Sequence, residues 1–530
     1  MQSRRHFLAS STLTLSYLAL GRAWAATPQD LAAIGQQIDD ILSFDPAECS
    51  EYSGDEIVGN CYRKLVKPDL ADPTRIVGDL AQSWDVSPDG QTLTFHLRED
   101  ARFDSGNPVT SEDAAFSLQR LILLNKPPAF LLGQFGFTAD NVAKLIRATD
   151  ARTLVLQLPT VQATSFVLFC LTPGAGCIVE KAVALAHETA GDLGNGWLKT
   201  HSAGAGPYRL VSWAASDHVI VEANAHHSPA PNVGRVVVRH INDPAAQFLA
   251  LQKGDIDIAR NLSSDQLKTL AGNADYRISP QPQLSSLYIA MNQKVPDLAR
   301  PGVQQAIKWA IDYDAIARNI TPITWTVGQS FLPNGLSGAL PDQPFHKDVA
   351  RAKELLAKAG VPNGFTVAMD YQAASPYAEI AQAIQQDLKA IGITVELVPG
   401  ERKQVVTKTR ARAHQLSLLV WGSDYYDPNS NAQAFCANSD DSESAAIKSV
   451  AWRSHFVDAA LTREAEEAAK EIDAAKRVAR YHAMQQQFWD RAPFAILLQQ
   501  NTVAVLRRGV SGLVVGSLPY YTLYGQIQKS

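Results

Sequence analysis

The residues best suited to chemistry lie together in Val420-Trp421-Gly422-Ser423-Asp424-Tyr425-Tyr426-Asp427-Pro428-Asn429, where the apolar run Gln415 to Trp421 ends and two acids follow among aromatic residues. An acid at the end of a buried strand sits where α/β clefts place their binding groups. A carboxylate there can hold a desolvated cation, because a charge-assisted hydrogen bond offsets the loss of water. Asp424 is read as that binding acid and Asp427 as the cap of the following turn through an Asx hydrogen bond. Trp421 and Tyr425 flank the acid; an aromatic face offers contact area without directional demands, so both are candidate walls, with core packing as the alternative. Glu51-Tyr52-Ser53-Gly54 is polar and glycine-containing and reads as a strand edge or an exposed loop. No nucleophile elbow, zinc-protease motif or phosphate loop is present. His226 and His227 are adjacent, so on a strand they face opposite ways and cannot chelate one ion. His414 reads as a surface or satisfied core residue. No catalytic residue, metal or cofactor is expected.

The elements that must position these residues alternate strand-like and helical patterns, which predicts an α/β protein. Trp84-Asp85-Val86 and Thr92 to Leu97 read as strands joined by the turn Ser87-Pro88-Asp89-Gly90. Thr110-Ser111-Glu112-Asp113 then opens a helix as a capping box. Further strands are expected at Val219 to Val221, Val236 to Val238, Leu287 to Met291 and Gln415 to Trp421. Val349, Ala352, Leu355, Leu356 and Ala359 form one helical stripe, and Thr462 to Trp489 is an Ala/Glu/Lys-rich helical stretch.

At 530 residues the chain should divide into two or three lobes. It is 46% hydrophobic and 19% charged, and no run of apolar residues is long enough to span a bilayer. Arg4, Arg5 and Arg22 are the charged residues ahead of Ala26; without them 45 basic face 53 acidic residues, a balance of −8 that gives no reason to expect nucleic acid or an anionic membrane as partner. Ser3-Arg4-Arg5-His6-Phe7-Leu8 resembles the twin-arginine export motif, Leu13 to Gly21 is a short apolar core, and Ala23-Trp24-Ala25 is a small-x-small cleavage site. Residues 1–25 are therefore expected to be a removed address, leaving a periplasmic protein. Five cysteines allow at most two disulfides; Cys170 with Cys177, and Cys49 with Cys61, are candidate pairs, with buried reduced thiols as the alternative and Cys436 left over.

Read in order, W-x-x-S-x-D-G-x-x-x-x-F-x-L-R-x-x-x-x-F-x-x-G-x-x-x-x-x-x-D, from Trp84 to Asp113, closely resembles the signature of the large extracytoplasmic solute-binding proteins of ABC importers, the peptide/nickel-binding family. Gly204-Ala205-Gly206-Pro207-Tyr208, Leu251 to Asp257, Val303 to Asp312, Ala352 to Gly360 and Ile380 to Gly392 resemble later blocks of the same family in the right order. The resemblance implies an α/β fold of two lobes joined by a hinge, with two strands crossing between them and an additional inserted subdomain. It places a discontinuous lobe I at 26–64, 200–285 and 495–530, the insertion at 65–199 and lobe II at 286–494. It implies a monomeric periplasmic receptor that captures a peptide or peptide-like solute between the lobes and delivers it to an inner-membrane ABC permease. Same-fold alternatives are receptors for a nickel complex, opine, oligosaccharide or haem; a non-transport sensor or chaperone is the alternative from another class.

Site roles follow from the same resemblance. In oligopeptide and dipeptide members, the acid three residues after this tryptophan pairs with the ligand's α-ammonium; the matching residue is Asp424. Tyr52, Ser53 and Gly54 correspond to the region that offers backbone groups to the ligand, which suits pairing with an extended peptide. Dipeptide members hold the ligand carboxylate with an arginine before a Pro-Tyr pair, and Ser375 occupies that place in Ala374-Ser375-Pro376-Tyr377. A serine cannot supply a bidentate cation. Arg402 or Lys403 is the nearby substitute, with solvated surface charge as the alternative. The departure predicts a ligand longer than a dipeptide, or one without a free carboxylate.

Overall fold

The computed structural model describes residues 27–530, so the export segment expected over residues 1–25 lies outside the described residues. Eleven strands form one sheet. Its order from one edge is Thr394–Gly400, Thr366–Gln372, Leu416–Gly422, Tyr276–Met291, Phe494–Arg507, Ile258–Ala259, Leu31–Gln36, Arg235–His240, His218–Ala223 and Tyr208–Ala214, with Trp325–Val327 also paired to Phe494–Arg507.

Two long strands carry the chain from one lobe to the other. Tyr276–Met291 runs antiparallel to Phe494–Arg507, and the ladder is broken between Pro282 and Ser286. On one side of the break Phe494–Arg507 pairs with Ile258–Ala259; on the other Tyr276–Met291 pairs with Leu416–Gly422, beginning at Ser285 opposite Gly422. Residues 280–282 are exposed and 500–502 half-buried, whereas 283–291 of the first strand and most of the second on both sides of 500–502 are buried. The paired strands are thus bare where they cross, and that is the hinge.

Alternation along the strands builds the cores. Leu287, Ile289 and Met291 join one apolar cluster, with Val367, Ile380, Ile384 and Leu388, while Tyr288 and Ala290 join another on the opposite face, with Phe435, Val450, Ala451 and Phe494. Ala32 and Ile34 face one core of the other lobe and Ala33 the second. Helices cover both faces, as a largely buried sheet requires.

The inserted layer is a four-stranded sheet in the order Ala81–Val86, Thr92–Leu97, Thr153–Gln157, Ile146–Asp150. The Ser87–Gly90 turn closes with a 2.8 Å bond from Gly90 N to Ser87 O, and Gly90 has φ +72°, which an L side chain adopts reluctantly. Helix Ser111–Leu124 opens on the Thr110/Asp113 capping box and lays Ala114, Leu118 and Leu121 on Leu93, Phe95, Leu154 and Leu156. Arg120 of that helix donates two bonds of 2.6 and 2.7 Å to buried Asp45, tying the insertion to the N-terminal segment.

Three expectations need correction. Residues 51–54 are not a strand edge: helix Tyr52–Cys61 begins there, because Ile57, Val58 and Cys61 find a core and Asn60 Nδ2 donates to Thr522 O at 2.8 Å. The stretch Thr462 to Trp489 is not one helix but parts of two, Ala459–Lys470 and Ala474–Arg491, the second capped by Asp473. All five cysteines are free and buried. Cys170 and Cys177 belong to different apolar clusters on the two sides of the Thr172 to Gly176 turn, and burial raises the pKa of both thiols. Among the described residues no helix is long and apolar enough to cross a membrane, and no group of three or more His, Cys, Asp or Glu residues could hold a metal.

Candidate functional site

Strand Leu416–Gly422 stops at Gly422 because the chain must clear the other lobe. A Cβ on residue 422 would collide with the hydroxyl of Tyr52, which belongs to the first turn of helix Tyr52–Cys61. The Tyr52 hydroxyl hydrogen-bonds the Ser285 side chain, so the tyrosine meets strands Leu416–Gly422 and Tyr276–Met291 where they pair.

Asp424 comes two residues later. Asp424 is exposed, yet its carboxylate lies close enough to surrounding protein to lose part of its hydration. This burial raises its pKa from 3.8 to about 6; a hydrogen bond from Ser430 Oγ (3.3 Å to Oδ2) and the charge of Arg453 act the other way. Ser430 Oγ also accepts from Asp424 N at 2.9 Å, which fixes the loop. Among the described residues no cation forms a salt bridge with Asp424, so the acid is positioned and unpaired.

Asp427 caps its turn as expected, accepting from Asn429 N at 2.9 Å. It also has a partner the sequence did not reveal: Arg477, from helix Ala474–Arg491, donates to its two oxygens at 2.6 and 2.7 Å. Arg477 reaches Ser165 Oγ at 3.1 Å as well, joining this loop to the insertion.

The other candidates divide. Trp421 is half-buried, meets Phe435 edge-on at 6.1 Å, and its Nε1–H lacks a protein partner. Tyr52 is 49% exposed. Arg402, exposed at the start of helix Arg402–Arg410, exerts its charge on both Tyr52 and Tyr377, so it lies at this mouth. Ser375 is exposed just ahead of Tyr377, and Lys403 is exposed beside Arg402.

Tyr425 is a correction: it is 1% exposed, its ring 5.6 Å from Phe166 in the core of the insertion, so it offers no wall. Ser53 and Gly54 are corrections too. Ser53 Oγ donates to Gln37 O at 3.0 Å, its N–H donates to Asp40, and Gly54 is packed against Cys49, leaving neither free for a ligand. His414 is buried, with neither ring nitrogen partnered, and burial pushes its pKa down to about 4, so it is an unsatisfied core histidine.

Two further ionisable residues had no sequence signal. Asp55, one turn beyond Tyr52, is half-buried and has a pKa raised by burial to about 7, with Lys64 and the Gly174 amide working against the shift. Arg453 closes the short helix Val450–Arg453 and lies within electrostatic reach of Asp424 and Tyr288. Nothing in Ala-Trp-Arg-Ser marks it as a site residue.

Known proteins are similar to this chain along most of its length. Residues 75–443 match the family described as bacterial extracellular solute-binding proteins, family 5, middle region. The chain is 28% identical over 499 residues to the probable D,D-dipeptide-binding periplasmic protein DdpA of Escherichia coli K12, covering 93% of each chain. It is 25% identical to the glutathione-binding protein GsiB of Pectobacterium atrosepticum, covering 97% of this chain and 96% of the relative. Its fold superposes with TM-score 0.77 and 24% identity on the ABC transporter-associated periplasmic binding protein DppA of Helicobacter pylori, solved with the peptide STSA, over 94% of this chain and 98% of that one.

Proposed function

The chain belongs to the bacterial extracellular solute-binding proteins of family 5, and on that premise we propose that it captures a peptide or peptide-like solute in its inter-lobe cleft and delivers it to an ABC permease. The single observation that carries the peptide reading is Asp424, an ionisable acid held at the cleft wall without a protein cation. A ligand ammonium would supply the missing charge and bring the carboxylate back toward its ordinary pKa. DdpA, GsiB and DppA, similar along nearly their whole length, are described as binding a dipeptide, glutathione and a peptide.

Capture is a population shift. The open form admits the solute, and contacts from both lobes, Tyr52 from one and Asp424 and Trp421 from the other, favour closure about the bare strands at 280–282 and 500–502. Binding and release complete the task, so no chemical step on the solute is required. The protein acts as a monomer in the periplasm, exported through its Arg4-Arg5 motif.

Thermal denaturation against peptides of two to eight residues tests this reading. A ligand at one hundred times its Kd contributes about 2.7 kcal/mol, a readily measured rise in Tm. No response to any peptide, with a response to sugars or metal complexes, would overturn the peptide reading and leave the family in place.

A further inference from the structure

The 423–428 loop leaves strand Leu416–Gly422, yet the side chain that follows Asp424 is buried in a different part of the molecule. Tyr425 is 1% exposed and belongs to the apolar cluster of the insertion; its ring lies 5.6 Å from Phe166, which meets Phe135 edge-on at 4.9 Å. Tyr426 beside it lies 6.4 Å from Phe169 and 5.6 Å from Tyr521. Phe166 and Phe169 come from one short helix, Thr164–Cys170. Just ahead of that helix Ala163 N donates to Ala469 O at 2.9 Å, near the end of helix Ala459–Lys470, and Ser165 Oγ accepts from Arg477 at 3.1 Å. Ala469 itself packs against the insertion's core.

On its other side the insertion is fastened more firmly. Buried Asp45 accepts two bonds from Arg120 and one of 2.6 Å from Asn195. Backbone bonds from Ile178 N to Arg63 O and from Glu180 N to Ala203 O, both 2.9 Å, and from Asp104 N to Gly204 O, 3.0 Å, add to the ion pair. Against these, the Tyr425 side has one backbone bond, one hydroxyl contact and the aromatic rings. When the crossing strands bend at 280–282 and 500–502, the junction that parts is therefore the one at Tyr425. No charge is stranded by parting, because Arg477 and Asp427 lie on the same side and keep their bonds of 2.6 and 2.7 Å. The main loss is the burial of an aromatic ring, which shifts an equilibrium by about ten- to a hundred-fold.

We propose that Tyr425 is a clasp by which the insertion holds the cleft shut, so that the closed form predominates before any solute binds and the solute enters during openings of the clasp. Association is then slowed in proportion to the open fraction. The clasp acts whatever the solute, so its failure would leave the peptide reading untouched.

Double electron–electron resonance on the unliganded mature protein tests it, with spin labels at Asp140→Cys in the insertion and Lys353→Cys on helix Val349–Lys358; both positions are exposed, and the five native cysteines are buried. Wild type should populate mainly the shorter of two label distances. Tyr425→Ser should raise the ratio of long to short by about ten-fold or more, whereas Tyr425→Phe, which keeps the ring, should match wild type. Ala163→Pro strikes the same junction from the insertion: Ala163 has φ −59°, which proline adopts, so the helix start survives while the N–H to Ala469 O is removed. It should raise the long distance too, and it decides the matter if Tyr425→Ser does not fold. Wild type populating mainly the longer distance, a folded Tyr425→Ser or an Ala163→Pro with the wild-type distribution, or Tyr425→Phe opened as far as Tyr425→Ser, would overturn the inference.

Discussion

Asp424 and Asp427 stand three positions apart, and the two acids face opposite surroundings. Asp427 is buried against Arg477 with bonds of 2.6 and 2.7 Å, whereas Asp424 is exposed with one bond of 3.3 Å from Ser430. The residue types are alike. What distinguishes framework from site is whether the counter-charge is built into the protein or has to arrive with a ligand.

The largest effect that would break this contrast is on the framework side. Arg477→Met leaves Asp427 ionised and buried without its partner, and should lower unfolding stability by about 3–5 kcal/mol in a denaturant titration. A loss below about 1 kcal/mol would mean that the pair is not what holds the 423–428 loop.

Next comes pH. Asp424 has its pKa raised to about 6 in the unliganded cleft, so ionising it disfavours the folded apo state as pH rises between 3.8 and about 6, and a bound ammonium needs the ionised form. Affinity for a free-amine peptide should therefore be greatest near pH 7, fall by up to about ten-fold per unit below about 6, and fall again above about pH 8 as the ligand's α-ammonium loses its proton. Burial also raises the Asp55 pKa, to about 7, so Asp424→Asn is the control that assigns the profile: its slope below pH 6 should vanish.

The smallest effect concerns the mouth. Tyr52→Phe removes one neutral hydrogen bond, to Ser285, and should weaken ligand by about two- to ten-fold, with little change in unliganded stability because Tyr52 is 49% exposed.

Much of the fold was legible because its signals are local. The Ser87–Gly90 turn, the Thr110 capping box and the two-residue alternation of Leu287 to Met291 each depend on neighbours in sequence. Helix Tyr52–Cys61 was not, since Tyr-Ser-Gly-Asp carries weak helical preference and the segment is held by remote groups such as Thr522 and Tyr524. Asp424 is proposed from the sequence because a strand end marks it. Tyr425 was misread because adjacency to a site residue does not decide which core a side chain enters. Arg453 and Arg477 lie 29 and 53 positions beyond Asp424, and only the folded chain brings them to the loop.

The central claim is that Asp424 is kept unpaired for a ligand's ammonium, and Asp424→Asn tests it most directly because it preserves shape and turn-forming capacity while removing the charge. Calorimetric titration of wild type and variant with one peptide and its N-acetylated form should show the free-amine peptide weakened by about thirty-fold or more, the acetylated one nearly unchanged, and the unliganded Tm the same. Undiminished affinity for the free amine, with a lowered Tm, would contradict the account and make Asp424 a structural cap like its neighbour.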